Sequence, residues 1–152
     1  MSFQPIDPSY EKRVRASFVR QPFMELLGAQ LLTVRPGLCE ITLPYKQELS
    51  QQHGFFHAGT IGTIADNAAG YAAYSLMDAD ASILTVEFKI NLLAPGNGTL
   101  LTARGQVIKA GRQLSVCRSD VFVRRGGEEQ QCAIALVTLI QLIGRSDSPP
   151  SS

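Results

Sequence analysis

The sequence has little net charge, few cysteines and no long apolar segment, and each of these absences excludes a class of function. Its 14 lysines and arginines against 13 acidic residues give a net charge of +1. No basic run exceeds Arg124-Arg125, which argues against a nucleic-acid or anionic-membrane surface. The longest apolar run, residues 132–140, is too short to cross a bilayer, and the N-terminus lacks the basic stretch and apolar core of an export signal. We therefore expect a cytoplasmic protein with no nucleic-acid partner and no membrane partner.

Only three cysteines are present, Cys39, Cys117 and Cys132. They are widely spaced and odd in number, so they indicate neither a disulfide framework nor a metal cluster, and we expect no metal site. We interpret them as ordinary core residues in a reducing compartment. The alternative, that one of them is a nucleophile, has no local support because neither histidine is adjacent to a cysteine in the sequence.

Length and composition suit one compact domain with a substantial core, since 45% of the 152 residues are apolar. We divide the chain into an N-terminal helical segment over residues 1–21, a main domain over 22–143, and a Pro/Ser-rich tail over 144–152 for which we expect disorder. A first short helix is predicted over residues 8–19, and Pro22 begins a second, brief helix.

One long helix is predicted over residues 59–78, because apolar residues recur there at three- and four-residue steps. Asp66 lies inside this helix but off its apolar face, and no lysine or arginine three or four residues away can pair with it. A carboxylate in a buried helix is costly unless it is paired, hydrogen-bonded or used. Gly62 and Gly70 lie four residues to either side, which leaves a stripe almost free of side chains. Either a ligand or another backbone approaches this stripe, or the glycines only allow close helix packing.

The rest of the chain has the pattern of β-strands separated by turn sequences rich in Gly, Pro and Asn. Six strands are predicted, over residues 29–35, 38–43, 82–93, 99–109, 113–124 and 130–142. The short connections between the last four favour an antiparallel meander. The fold class is therefore α+β, an antiparallel sheet of about six strands packed on one long central helix. Such a sheet has open edges, so we expect a homodimer that assembles further to a tetramer.

Four motifs, taken in their order and spacing, resemble a known family. They are Gly54-Phe55-Phe56-His57-Ala58-Gly59, a carboxylate nine residues after the histidine, Leu92-Leu93-Ala94-Pro95 and Lys109-Ala110-Gly111-Arg112. Over residues 22–142 this pattern is similar to that of the hotdog-fold acyl-CoA thioesterases of the phenylacetate-pathway (PaaI-like) type. The resemblance implies a sheet wrapped around the helix, and active sites at a dimer interface to which both subunits contribute.

The same resemblance implies roles for residues around the helix start. Asp66 matches the catalytic carboxylate, which acts as general base on water or as nucleophile on the thioester carbonyl. Ala58 matches the position whose backbone N–H polarises the thioester oxygen, and Gly59 adjoins it at a helix N-terminus suited to developing negative charge. Because Asp66 and the helix start are about two turns apart, we expect Asp66 of one chain to meet the helix start of the other. His57 is interpreted as a residue that holds the loop rather than as a proton-transfer group.

Two further positions match the family less closely. Gln51 lies six residues before His57, where some members carry an asparagine that orients water or the thioester, and its amide is one methylene further from the backbone. Thr85 matches a hydroxyl position that helps to hold the attacking water, although threonine is also an ordinary strand former.

Four residues are assigned to substrate binding. Lys109 and Arg112 flank a turn and are assigned to the phosphates of coenzyme A, although charges at turns are commonly only solvated. Gly111 and Asn67 complete this set.

These residues favour hydrolysis of an acyl-CoA thioester, with coenzyme A as part of the substrate and no separate cofactor. A hotdog dehydratase or hydratase is a second possibility, in which His57 would point into the pocket and matter as much as Asp66. A noncatalytic acyl-CoA-binding module is a third, but binding alone does not need a desolvated carboxylate. The sequence does not determine the acyl group. Residues that hint at an aromatic or medium-chain group are Phe55, Phe56, Tyr71 and Tyr74.

Overall fold

The computed structural model describes residues 3–145 and 147–148. Its α-helices are α1 (Tyr10–Val19), α2 (Pro22–Leu27) and α3 (Ala58–Tyr74). Its strands are β1 (Gln30–Arg35), β2 (Leu38–Pro44), β3 (Ser82–Leu92), β4 (Leu100–Ala110), β5 (Leu114–Arg125) and β6 (Glu128–Leu142). These bounds confirm the predicted helices and strands to within a few residues, except at the end of α3.

All six strands form one antiparallel sheet in the order β1-β2-β4-β5-β6-β3. The predicted meander is correct for β4, β5 and β6 but wrong for β3, which pairs with β6 instead of β4. The connection over residues 93–99 exceeds the hairpin loops of about two to five residues that join paired neighbours. The two ends of this connection are hydrogen-bonded to β6 and β5, since Leu93 N–H donates to Cys132 O and Thr99 N–H donates to Arg124 O. The two edges of the sheet are therefore β1 and β3.

The long helix α3 packs directly on the sheet, which confirms the α+β class with one central helix. Ile64, Ala65 and Ala68 are fully buried in this contact. Gly105 of β4 makes the closest approach, because a Cβ at this position would lie 2.2 Å from Ala68 O. Any side chain there would push α3 away from the sheet.

The helix ends at Tyr74 rather than at residue 78, because the next residues continue in tighter turns. Met77 N–H donates to Tyr74 O, a bond over three residues, so the apolar period continues beyond the last α-helical turn. Arg13 of α1 closes this end, and its Nη2 donates to Tyr74 O at 3.1 Å and to Met77 O at 2.8 Å. A cation at a helix C-terminus is favourable, and this contact fixes α1 on α3.

A bulge in β3 determines which of its side chains face α3. The register against β6 shifts between Thr85 and Glu87. Strict alternation would place Thr85 and Phe88 on opposite faces of the sheet, but the bulge lets both reach α3. Thr85 contacts Asp66, and Phe88 lies 3.8 Å from where a Cβ of Gly62 would be.

The three cysteines are free and buried, which confirms their interpretation as core residues. Burial raises the pKa of each thiol, to about 12 for Cys117 and about 11 for Cys132, and the pKa of Cys39 is also raised by burial. A protonated, buried thiol is a poor nucleophile.

The division of the chain into a segment over 1–21, a domain over 22–143 and a tail over 144–152 stays a prediction. Residues 1–2, 146 and 149–152, which include most of the tail expected to be disordered, lie outside the described residues. Within the part of the chain that the structure describes, no helix has the length and apolar composition of a membrane span.

Candidate active site

Asp66 projects from α3 towards β3, where Thr85 holds it. Thr85 Oγ1 donates a 2.8 Å hydrogen bond to Asp66 Oδ1. No other group in residues 3–145 and 147 forms a hydrogen bond or ion pair with this carboxylate. Asp66 is half-buried, and its second oxygen, Oδ2, is available to a water molecule or to a substrate. Two residues that lie far apart in the sequence and were assigned to catalysis are thus in direct contact.

Burial raises the pKa of the Asp66 carboxyl above its ordinary value, while the hydrogen bond from Thr85 lowers it. The two effects oppose each other because burial disfavours the charged form and the hydrogen bond favours it. A raised pKa makes the carboxylate a better proton acceptor, and the bond from Thr85 helps to keep it ionised. The site therefore holds a partly desolvated carboxylate with one fixed oxygen.

His57 begins α3 as its N-cap residue. Its Nδ1 accepts a hydrogen bond of 2.9 Å from Gly59 N–H, which requires an unprotonated Nδ1. The Gly59 amide is therefore engaged, whereas the Ala58 N–H has no acceptor among the described residues. Of the two predicted oxyanion donors, Ala58 is the one whose N–H is available in this structure.

A cavity of about 410 Å³ joins the helix start to Asp66. The residues that line it are Phe23, Ala58, Gly59, Gly62, Thr63, Asp66, Asn67, Phe88 and Ile90. Ala58 and Asp66 lie at opposite ends of about 12 Å of helix. A thioester carbonyl that accepts a hydrogen bond from Ala58 N–H therefore lies out of reach of Asp66 of the same chain.

A second cavity, of about 810 Å³, also opens onto Asp66. It follows α3 as far as Tyr71 and is bounded by side chains of α1, β3 and β6. Asp66 and Asn67 are the two residues that line both cavities. The carboxylate therefore lies where the two cavities meet.

A protein-family model described as "Thioesterase superfamily" matches residues 53–130. This match covers just over half of the chain and contains the helix start, Asp66 and Thr85. The chain belongs to the thioesterase superfamily. As a member of this superfamily it is classed as a thioester hydrolase.

Individual proteins agree with this assignment. The crystal structure of a thioesterase family protein from Silicibacter pomeroyi matches with a TM-score of 0.88 and 48% identity, over 89% of this chain and 99% of that one. Acyl-coenzyme A thioesterase PaaI of Escherichia coli is 28% identical over 82% of this chain and 84% of that protein. The structure of the E. coli PaaI protein shows the same fold, with a TM-score of 0.81 at 20% identity over 90% of this chain and 96% of that one. The matched regions span 65% to 88% of the length of the curated relatives. The resemblance to PaaI-like hotdog thioesterases is confirmed.

Asn67, which was assigned to substrate binding, follows the catalytic candidate in the thioesterase helix. Its Nδ2 donates to Thr63 O at 3.4 Å, whereas its Oδ1 is buried and has no hydrogen-bond partner among the described residues. A buried amide oxygen without a donor is costly. Asn67 therefore offers an unused acceptor at the junction of the two cavities.

Gln51 is turned into its own loop. Its side-chain oxygen accepts a hydrogen bond from His53 N–H, and its backbone N–H donates to Phe55 O at 2.9 Å. Gln51 lines neither of the two cavities that contain Asp66. Within one chain its amide therefore serves the loop and is not brought to the carboxylate.

Lys109, Gly111 and Arg112 lie at the turn between β4 and β5, outside both cavities that contain Asp66. Lys109 and Arg112 are exposed. Gly111 is required by the turn itself, because a Cβ there would lie 2.4 Å from Leu114 O. The start of β5 is separated from β3 by β6 alone, and β4 lies one strand further away, so this turn is two to three strand spacings, or roughly 10–14 Å, from the strand of Thr85. A single chain does not bring these three residues to Asp66.

The glycine stripe beside Asp66 is not explained by packing within the chain. A Cβ would lie 3.8 Å from Phe88 at Gly62, and 3.6 Å from Leu139 at Gly70. Both distances are ordinary contacts, so neither position needs glycine for internal packing. Each glycine lines one of the two cavities, which favours the interpretation that a ligand or a second chain approaches there.

Several cavity residues escaped the sequence reasoning. Phe88 and Ile90 face α3 only because the bulge in β3 changes the alternation of faces. Ser17 and Gln21 reach the larger cavity from the N-terminal segment. Local sequence patterns do not predict contacts between residues that lie so far apart in the chain. Of the four aromatic residues that hinted at the acyl group, Tyr71 alone lines a cavity that contains Asp66.

Proposed function

We propose that this chain hydrolyses an acyl-CoA thioester to the free acid and coenzyme A, with Asp66 as the catalytic carboxylate. The observation that carries this proposal is the contact between Thr85 and a half-buried Asp66 at the junction of two cavities. A carboxylate that is desolvated yet held ionised is suited to act on water or on a carbonyl carbon. The name of one relative, acyl-coenzyme A thioesterase PaaI, supports acyl-CoA as the class of substrate.

In the general-base route, the free oxygen of Asp66 takes a proton from water as the water oxygen bonds to the thioester carbonyl carbon. The carbonyl oxygen becomes an oxyanion, which the Ala58 N–H and the α3 N-terminus stabilise. The C–S bond then breaks, and the thiolate of coenzyme A leaves and takes the proton from Asp66. The free acid, coenzyme A and an ionised Asp66 result.

In the nucleophilic route, an oxygen of Asp66 itself bonds to the carbonyl carbon and the thiolate leaves. Water then cleaves the acyl-aspartyl anhydride, which releases the free acid and restores the carboxylate, and the remaining proton of the water goes to the thiolate of coenzyme A. Both routes need the ionised form of Asp66 and both use the same oxyanion donor. Neither needs a cofactor besides the coenzyme A of the substrate.

Two copies of the chain are proposed to complete each site, because about 12 Å of helix separate Ala58 from Asp66. The edge strand β3 suits the pairing of two copies. Four of its apolar side chains are about half exposed, namely Leu84, Val86, Phe88 and Leu92. The opposite edge, β1, is partly covered by Arg15 of α1, whose guanidinium donates to Leu31 O and Leu32 O at 3.4 Å. We propose a homodimer joined through β3, which assembles further to a tetramer.

Substrate contacts outside the two cavities are part of the same proposal. Lys109 and Arg112 are exposed cations that suit the phosphates of coenzyme A, and a second copy would bring such a turn near the open side of the cavities. The reducing conditions of the cytoplasm, the proposed location, suit the three free cysteines.

The position of His57 disfavours a hydratase. Its Nδ1 accepts the hydrogen bond from Gly59 N–H that caps α3. A hydratase would need a histidine that exchanges a proton with the acyl chain, and this nitrogen is already used by the helix cap. A noncatalytic binding module is disfavoured because it would carry the cost of a desolvated carboxylate without using it.

Release of free thiol from a panel of acyl-CoA esters tests the proposal. We expect one thiol and one free acid for each ester consumed. Hydration of an enoyl-CoA without thiol release would favour the hydratase. Saturable binding of acyl-CoA without any turnover would favour the binding module, and either result would contradict the proposed function.

A further inference from the structure

A buried polar cluster lies along the larger cavity, beyond Asp66. The Tyr71 hydroxyl is 3.2 Å from Ser17 Oγ, and Gln21 Nε2 donates to it at 2.5 Å. Tyr71 and Ser17 are only 5% and 7% exposed, yet all three residues line the cavity. The proposed hydrolysis uses none of them.

This cluster has hydrogen-bonding capacity that the described residues do not use. The Tyr71 oxygen accepts from Gln21 and can donate its own hydrogen to Ser17, which leaves the Ser17 hydrogen free. The Gln21 amide keeps an oxygen and a second N–H with no partner among residues 3–145 and 147. Although Gln21 is the N-cap residue of α2, its side chain makes no capping bond. Gln21 is only partly buried, so its unused groups are open at the cavity to a ligand or to water.

The larger cavity extends along α3 from Asp66 to this cluster. Tyr71 follows Asp66 by about 7.5 Å along the helix axis. Gly70 leaves the helix surface between them without a side chain, and Ile83 and Leu139 provide apolar wall on the side of the sheet. An acyl chain that begins at Asp66 can therefore follow α3 to the Tyr71 hydroxyl.

The three residues of the cluster carry no charge, which suits a neutral ligand group. Burial raises the pKa of Tyr71, against the hydrogen bonds from Ser17 and Gln21, so the hydroxyl is uncharged. Arg20 also lines the cavity but is paired with Asp147 at 2.5 Å. Arg145 is the other cation of the lining. Because it could pair with an anion, an acyl group that ends in a carboxylate is the alternative ligand to test.

We propose that Ser17, Gln21 and Tyr71 bind a neutral hydrogen-bonding group, a hydroxyl or carbonyl oxygen, at the far end of the acyl chain of the substrate. This assignment rests on the proposed function, because it takes Asp66 to mark the thioester carbonyl. The rise of about 7.5 Å along the helix axis from Asp66 to Tyr71 corresponds roughly to an extended chain of six carbons. The N-terminal segment thereby contributes to substrate specificity.

A pair of esters that differ in one group tests this assignment. In 6-hydroxyhexanoyl-CoA and heptanoyl-CoA a hydroxyl and a methyl group occupy the same place. We expect kcat/KM for the hydroxylated ester to be higher by about tenfold or more, because a site built to pair a hydroxyl rejects the analogue without it. Tyr71→Phe and Gln21→Met should each bring this ratio close to one. Tyr74→Phe, which alters the other buried tyrosine of α3 outside the cavity, is the matched control and should keep the ratio.

The outcomes separate this assignment from the proposed function. Equal kcat/KM for the two esters, or an unchanged ratio in both variants with folded protein by thermal unfolding, would overturn the assignment and leave hydrolysis standing. A preference for adipoyl-CoA would also overturn it and would point to Arg145. Absence of thiol release from every ester would contradict the proposed function instead. The dissociation constants of the same esters, measured by calorimetry, would then decide the assignment, since equal constants overturn it.

Discussion

The environment of Asp66 determines the pH dependence that we expect for hydrolysis. Its carboxyl is subject to burial, which raises its pKa, and to the hydrogen bond from Thr85, which lowers it. Both proposed routes need the ionised form, so the rate of hydrolysis falls as the pH drops through the pKa of this group. Under the proposed function, the hydrogen bond from Thr85 therefore extends hydrolysis to lower pH.

Thr85→Val removes the hydrogen bond and keeps the shape of the side chain. The pKa of Asp66 then rises further, and we expect the acid limb of the pH profile of kcat/KM to move to higher pH. On the plateau above this limb the loss should not exceed about tenfold, the value of one hydrogen bond. Thr138→Val on β6 is the control and should leave the profile unchanged. A limb that stays in place or moves to lower pH in Thr85→Val would contradict this role of Thr85.

The amide of Ala58 can be removed without disturbing α3. Ala58 is the first helical residue after the N-cap His57, and proline is well tolerated there because its missing N–H has no partner inside the helix. His57 already has the extended backbone that precedes a proline, with φ −64° and ψ 142°. We expect Ala58→Pro to fold and to lose about 100- to 1,000-fold in kcat, the usual cost of one oxyanion donor. Unimpaired thiol release by the folded variant would exclude the Ala58 N–H as oxyanion donor.

Residues of the site could be predicted where they lie on one helix. The spacing of His57, Ala58 and Asp66 was visible in the sequence, and their helical setting is confirmed. Thr85 could be assigned only through the family resemblance, because its contact with Asp66 depends on where β3 lies. The Tyr71 cluster could not be predicted, since Ser17 and Gln21 meet Tyr71 from a separate helical segment.

At the scale of elements, the distance between α3 and the sheet is set by Gly105, not by the glycines of the helix. The sequence predicted a close approach at the helical glycines, because glycine is costly inside a helix. Gly105 lies in a strand, where nothing in the local pattern shows which residue a helix will cross. The pairing of β3 with β6 was missed for a similar reason, because turn composition shows where a strand ends but not which strand it joins.

Two alanine substitutions distinguish these kinds of glycine. Gly105→Ala places a Cβ 2.2 Å from Ala68 O, and we expect a loss of about 1–3 kcal/mol in the free energy of unfolding, or more. Gly62→Ala meets only an ordinary contact, so the better helix propensity of alanine should keep or raise stability by up to about 1 kcal/mol. The methyl group of Gly62→Ala enters the smaller cavity, so this variant should hydrolyse the substrate more slowly. Urea unfolding and thiol release measure the two effects, and an undisturbed Gly105→Ala would contradict the packing described for α3.

At the scale of the whole molecule, the two edges of the sheet differ in how they are protected. Charged side chains that cover an edge strand are a common means of preventing pairing, and Arg15 covers two carbonyls of β1. On the β3 edge no charged side chain of the described residues hydrogen-bonds to a backbone carbonyl, and exposed apolar side chains alternate with the exposed Glu87 and Lys89. This asymmetry could not be predicted from the sequence, because the strand order was not known.

Val86→Lys introduces a charge on the β3 edge and should dissociate the assembly into monomers. Since each site is proposed to need two copies, hydrolysis should fall together with the assembly. Leu32→Lys is a matched control, because Leu32 is similarly exposed, 49% against 54% for Val86, and also lies at a register shift of an edge strand. Sedimentation velocity and thiol release should show no change in this control. An assembly that survives Val86→Lys and dissociates in Leu32→Lys would place the interface at β1.

The central claim, that Asp66 carries out thioester hydrolysis, is tested most directly by kcat of Asp66→Asn. We expect this change not to reduce the stability of the folded protein. Because the folded pKa of Asp66 lies above its ordinary value of 3.8, the ionised carboxylate lowers stability once the pH rises above that value, and a neutral amide removes this cost at neutral pH. Thermal unfolding should therefore show equal or higher stability for Asp66→Asn at pH 7.

The decisive measurement is kcat for thiol release from acyl-CoA by wild type, Asp66→Asn and the control Asp80→Asn. Asp80 is exposed and lies outside both cavities that contain Asp66. We expect Asp80→Asn to match wild type and Asp66→Asn to lose at least about a hundredfold in kcat, as for a lost base or nucleophile. Near-normal hydrolysis by a folded Asp66→Asn would contradict the account.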